Sequence, residues 1–96
     1  MATTNAFEDG FRLAMLCKAL GNPARLVMVR YLIARAAGCP CGEIVRHLPL
    51  AQSTVSRHLK VLQAAGWIRP TPRPGVPGYR IDPDVVADFR RLAGAL

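Results

Sequence analysis

Acidic residues are scarce in this chain, and their placement is uneven. Only 6 Asp and Glu stand against 13 Lys and Arg in 96 residues, a formal net charge of +7. Between residues 10 and 81 there is a single acid, Glu43, against 11 basic side chains. A body so short of negative charge points to a polyanionic partner. Lysine is scarce too: 11 of the 13 basic residues are Arg, whose planar guanidinium favours bidentate contacts with phosphate or guanine. Long apolar runs are missing. Nothing approaches the roughly 20 residues that cross a bilayer, so no membrane partner is expected. The first nine residues include Glu8 and Asp9 and lack a basic-then-apolar leader, which points to the cytoplasm. The chain length leaves room for one small core and excludes a two-lobed enzyme with an enclosed pocket, so no enzymatic activity is expected. Oligomerisation would supplement so small a core. Three cysteines are an odd number for a disulfide framework, and without a leader they read as reduced thiols.

What is present is mostly helical. Residues 6–20 carry Phe7, Phe11 and Ala14, and Leu13, Leu16 and Leu20, at helical spacing, and Gly21 ends the run. Asn22-Pro23 reads as an N-cap with proline at the first helical position. The helix that follows is expected to run to Gly38. It is apolar on most sides (Leu26, Val29, Leu32, Ile33) and so should be central in the core. Residues 42–48 make a short helix, Pro49 forces a turn over 49–51, and Gln52 to Ala65 forms the next helix, stopped by Gly66. Two helices joined by a three-residue turn are the helix-turn-helix pattern.

Trp67-Ile68-Arg69 and Tyr79-Arg80-Ile81 read as two short strands. Four prolines between them (Pro70, Pro72, Pro74, Pro77) confine this ribbon to an edge. Asp82-Pro83 caps a last helix with Val85, Val86, Phe89 and Leu92 on its apolar side. The fold class is therefore mainly α with a small β-hairpin, a winged helix-turn-helix in the order α-α-α-turn-α-β-β-α. Residues 1–96 form one domain, with the helix-turn-helix at 42–65 and the wing at 66–81. The terminal helices at 6–20 and 83–94 offer apolar faces (Phe7, Phe11; Val86, Phe89) for dimerisation.

On a helical wheel, Val55, Leu59 and Leu62 form the core side of residues 52–65. Ser53, Ser56, Arg57 and Lys60 cluster opposite, and the helix contains no acid. Small hydroxyls allow close approach to a groove. Arg57 reaches guanine or phosphate, and Lys60 phosphate. Gln52 and Thr54 sit in the first turn, where a recognition helix meets base edges. His58 borders the apolar side, as a packed or phosphate-contacting histidine. Arg69, Arg73 and Arg80 arm the wing for the DNA backbone or minor groove. The partner is double-stranded DNA, with no cofactor required for binding it.

Cys39 and Cys41, with Pro40 between them, are placed to share one soft ion. Standing at a helix N-terminus, they are expected to have lowered thiol pKa values.

The strings ALGNPARLVMVRYL (19–32) and PLAQSTVSRHLKVLQAAGWI (49–68), with Tyr79-Arg80-Ile81, resemble the ArsR/SmtB family of metal- and metalloid-responsive repressors over nearly the whole chain. The resemblance implies a homodimer on a palindromic operator, released when an inducer binds. Cys39-Pro40-Cys41 is similar to the Cys-x-Cys of the family's arsenic and cadmium/lead sensors, which implies trivalent arsenic or antimony, or another thiophilic ion, as inducer. The intervening proline departs from that pattern, as does one extra residue before Ser56-Arg57-His58-Leu59. A third cysteine one turn on is also lacking. Cys17 on the first helix is the remaining candidate ligand, recruited across a dimer as in some family members, or else a small packed hydrophobe. The family's zinc site on the last helix uses Asp and His. Here Asp82, Asp84 and Asp88 have no His partner, so zinc is not expected there. Two alternatives stand beside this one: thiol oxidation or persulfide formation in the same fold, and a small thiol metal chaperone or oxidoreductase built on Cys-Pro-Cys. A helical interaction module without DNA is a further competitor.

Overall fold

Three helices begin where a short polar side chain can close free backbone N–H groups. In the computed structural model, which describes residues 5–72 and 75–96, Asn5 Oδ1 accepts from Phe7 N–H at 2.9 Å and starts α1 (Ala6–Leu20). Asn22 Oδ1 accepts from Ala24 N–H at 2.9 Å and starts α2 (Pro23–Ile33). Asp82 Oδ1 accepts from Asp84 N–H at 3.0 Å and starts α5 (Pro83–Gly94). Pro23 and Pro83 occupy positions whose N–H would be unpaired in any case. Between these lie β1 (Cys39–Pro40), α3 (Cys41–His47), α4 (Gln52–Ala65), β2 (Ile68–Pro70) and β3 (Gly78–Ile81). Gly66, at φ +97°, closes α4 in the left-handed conformation, and Trp67 N–H then reaches back to the Leu62 carbonyl at 3.0 Å.

The helix expected to extend to Gly38 stops at Ile33. Residues 34–38 instead make tight turns, with Arg35 N–H on the Leu32 carbonyl and Gly38 N–H on the Arg35 carbonyl at 2.8 Å. The chain has to reverse here, because Cys39 and Pro40 form a strand that the two-strand ribbon did not foresee. The sheet has three antiparallel strands in the order β1-β3-β2, with Cys39 opposite Tyr79 and Ile68 opposite Ile81. β3 is thus central, and only β2 and β1 are edges. Gly78 is required by this third strand: a Cβ there would stand 2.5 Å from the Cys39 carbonyl oxygen. The strand is also tied at its end, where Cys41 N–H donates to the Pro77 carbonyl at 3.0 Å.

The core gathers Leu16, Met28, Leu32, Ile44, Val55, Leu62 and Ile68 around Trp67. The indole donates its N–H to the Leu16 carbonyl at 3.1 Å, so its one polar atom is satisfied. Leu26 and Ile33, expected in the core, lie on the open side of α2, each 38% exposed; Met28, Val29 and Leu32 take the inner side. On α5, Val85, Val86 and Leu92 are buried within the chain, and the Phe89 ring packs 5.0 Å from Trp67. Val86 is therefore engaged inside the chain, and Phe89 is so in part. Apolar side chains left open on α1 include Phe7 (81% exposed) and Phe11.

Candidate nucleic-acid interface and thiol site

The helix expected to read DNA, α4, divides as its periodicity predicts. Val55, Leu59 and Leu62 are buried, and Gln52, Ser53, Ser56, Arg57 and Lys60 are exposed. Thr54 is half-buried, leaning toward the body. No side chain caps the start of α4, so its first-turn amides remain available to an anion. Among the described residues neither Arg57 nor Lys60 enters an ion pair. Arg73 lies outside the described residues. Arg69 is not a free arm: its Nε sits 2.7 Å from Asp82 Oδ2. Burial pushes the Asp82 carboxyl up, but Arg69 and the backbone N–H groups of Asp84 and Val85 outweigh it and hold the carboxyl below its ordinary value. Arg80 is half-buried on the central strand, opposite Arg69, and its Nε has no partner among the described residues.

His58 is half-buried on the flank of α4, with Arg25 Nη1 3.1 Å from its Nδ1. Burial, then the charges of Arg25 and Arg57, lower its pKa. The same Arg25 donates through Nε to the Ala19 carbonyl at 2.6 Å, satisfying an end group of α1.

The cysteines are placed differently from expectation. Cys39 is a strand residue, not a helix start, and is 1% exposed. Its thiol donates to Glu43 Oε2 at 2.8 Å. Burial first, then the Glu43 carboxylate, push its pKa up to about 11, the reverse of the lowering expected at a helix N-terminus. Glu43 receives more than this thiol. The Tyr31 hydroxyl donates to the same oxygen at 2.9 Å, and Arg35 Nε stands 3.5 Å away. The Cys39 and Tyr31 hydrogen bonds hold the carboxyl of Glu43 below its ordinary value. Arg35 also covers the Tyr31 ring at 3.6 Å, and His47 stacks on Tyr31 with centroids 3.9 Å apart. Through this one carboxylate α3 is fastened to α2 and β1. Cys41 is the first residue of α3 and half-buried, and Cys17 is exposed on α1. Among the described residues no three Cys, His, Asp or Glu side chains are assembled as a ligand group. In this conformation the three cysteines do not form a ready metalloid site.

Sequence reasoning overlooked Tyr31, Glu43 and Arg25. One signal was available. Glu43 is the single acid over seventy residues, and a lone carboxylate in a basic body has donors competing for it.

A family model described as "Helix-turn-helix domain" matches residues 20–70. The uncharacterized HTH-type transcriptional regulator MJ1325 of Methanocaldococcus jannaschii is 31% identical over 85 residues, covering 88% of this chain and 94% of that protein. Among solved structures, one described as "Possible transcriptional regulator for arsenical resistance" is 28% identical, covers 84% of this chain and 81% of that one, and superposes with a TM-score of 0.71. The homodimeric winged helix-turn-helix DNA-binding domain of Mb0332 from Mycobacterium bovis has a TM-score of 0.72 at 22% identity, over 99% of this chain and 89% of that one.

Proposed function

We infer the function from one premise: the chain belongs to the helix-turn-helix domain family of transcriptional regulators, with the winged fold of its ArsR-type members, and is not an enzyme. We propose that it is a cytoplasmic repressor that binds a palindromic operator as a homodimer. Gln52, Ser53, Thr54, Ser56, Arg57 and Lys60 read the major groove, and Arg73 contacts the backbone from the wing. The observation that carries this reading is the exposed, acid-free face of α4, with two cations unpaired among the described residues, opposite a fully buried Val55/Leu59/Leu62 stripe. The open Phe7 and Phe11 rings on α1 support a partner across that helix, and the similar domain of Mb0332 is homodimeric.

The inducer is a thiophilic ion, trivalent arsenic or antimony, taken by Cys39 and Cys41 with Cys17 as third sulfur. A soft ion is needed, because the resting Cys39 is protonated and must give up both its proton and its bond to Glu43. Losing that bond frees one of the ties holding α3, the helix against which α4 rests. Oxidation as the trigger is disfavoured at Cys39, since a buried neutral thiol is a poor nucleophile, whereas an ion can first meet the half-exposed Cys41.

The experiment is a gel shift on the DNA upstream of the protein's own gene. Arg57→Ala should cost about 1–3 kcal/mol of binding and Lys60→Ala should mainly lower the salt slope. Arsenite should release the wild type but not Cys39→Ser or Cys41→Ser. Unchanged binding by both α4 variants removes this helix from the interface, and release of both serine variants removes the thiols from the sensor.

A further inference from the structure

One guanidinium joins three elements. Arg25, in the first turn of α2, donates through Nε to the Ala19 carbonyl at the end of α1 and presents Nη1 to His58 Nδ1 in the middle of α4. Arginine has no acceptor, so Nδ1 must supply the lone pair. That fixes His58 as the neutral Nε2–H tautomer. A protonated imidazole has no lone pair to offer and would place a cation against Arg25. His58 is flanked in sequence by Arg57 and lies between the buried stripe and the reading face. Its contact with Arg25 therefore limits the rotation of α4 about its own axis, and with it the direction in which Ser53, Ser56, Arg57 and Lys60 point.

We propose that Arg25 is a positioning residue for DNA recognition, holding the reading helix in register through the neutral imidazole of His58. The proposal rests on α4 being the reading helix, and it makes the hold proton-sensitive. The charged groups acting on His58 are Arg25 from α2 and Arg57 on its own helix; among the described residues no carboxylate from α1, α3 or β2 stabilises its cation. The lowered pKa of His58 keeps the hold intact at neutral pH, and acidification breaks it.

The sign of the effect separates this device from an ordinary basic interface. A histidine that only meets phosphate binds DNA better when protonated, because it adds a charge. A histidine that holds Arg25 binds worse, because the helix loses its register. The scale is about tenfold, that of one hydrogen bond to a charged group.

The test is fluorescence anisotropy with a duplex selected by the wild-type protein from a random library, titrated from pH 5.5 to 8 at fixed ionic strength. Affinity of the wild type should fall toward the acid end, by up to about fivefold at pH 5.5, because the lowered pKa leaves His58 only partly protonated there. His58→Asn, whose amide oxygen stands near the place of Nδ1 and can accept from Arg25 at every pH, should show a flat profile. Arg25→Ala should bind about tenfold more weakly at pH 8, also with a flat profile. Urea unfolding of each variant shows whether the loss exceeds any change in the folded fraction. Wild-type binding that tightens on acidification overturns the proposal, as does a His58→Asn variant with the wild-type profile. Arg57→Ala is measured in the same plates. If it weakens binding while the pH profiles are flat, only the proposal fails. If it binds as the wild type does, α4 is not the reader and the proposal falls with that reading.

Discussion

Cys39 should be the slowest of the three thiols to react with a disulfide reagent at pH 8, and the structure gives the scale. Moving a thiol from its usual 9.0 to about 11 lowers the thiolate fraction at pH 8 about 100-fold. A more basic thiolate is intrinsically more nucleophilic, with a Brønsted slope of about 0.4–0.5, which returns roughly tenfold over two pK steps. Ionisation alone therefore leaves Cys39 about tenfold slower than an unperturbed thiol. Burial acts in the same direction, because only 1% of the residue meets solvent and the reagent must await a local opening. Stopped-flow thiol counting resolves the phases, and mass spectrometry of quenched samples assigns them. Cys17, exposed on α1, is the reference for access within the molecule. Glu43→Gln removes the carboxylate charge while leaving an oxygen to accept the thiol proton, so the slow phase should accelerate without a loss of fold. Cys39 reacting as fast as Cys17 in the folded chain refutes the buried, protonated resting state. A Glu43→Gln variant with an unaltered slow phase refutes the role of the carboxylate.

Cys39, Phe11 and Gly78 each give a further expected outcome. The raised pKa of Cys39 stabilises the fold below about pH 9, and that contribution is lost as pH rises toward 11, so in urea titrations the gap between wild type and Cys39→Ala should narrow by about 1–3 kcal/mol over that window. Phe11→Glu should leave the fold intact and give a monomer in sedimentation, whereas Phe89→Arg should unfold the chain, because that ring packs on Trp67. Gly78→Ala should detach β1 from β3, seen as faster amide exchange at Cys41, whose N–H reaches Pro77 only while the strands are paired.

The helices were legible because their ends are chemical. Asn22-Pro23 and Asp82-Pro83 state where helices begin, Gly66 states where α4 ends, and the Val55/Leu59/Leu62 spacing states which side is inward. These signals are local, and the structure places them as read. The misplacements share the opposite character. β1 is two residues long and half proline, so it has no periodicity to detect; it exists because Gly78, almost forty positions later, lets Cys39 approach. Leu26 and Ile33 look like core by composition, but α2 has an open side that a single chain does not cover. The thiol pKa was misjudged because a helix start was assigned from sequence adjacency, and Cys39 lies one strand earlier against a carboxylate four residues on. The ties from Tyr31 to Glu43 and from Arg25 to His58 are distant in sequence and carry no spacing rule.

The pairing of β1 with β3 gives residues 39–41 two mechanical outlets. In one direction they lead into α3, which supports α4. In the other they are bonded to the base of the wing, through Cys39 opposite Tyr79 and the Cys41 amide on Pro77. A pull on this short segment is therefore divided between α4 and the ribbon of β2 and β3. If both elements hold a duplex, as proposed above, one pull at residues 39–41 acts on both holds together.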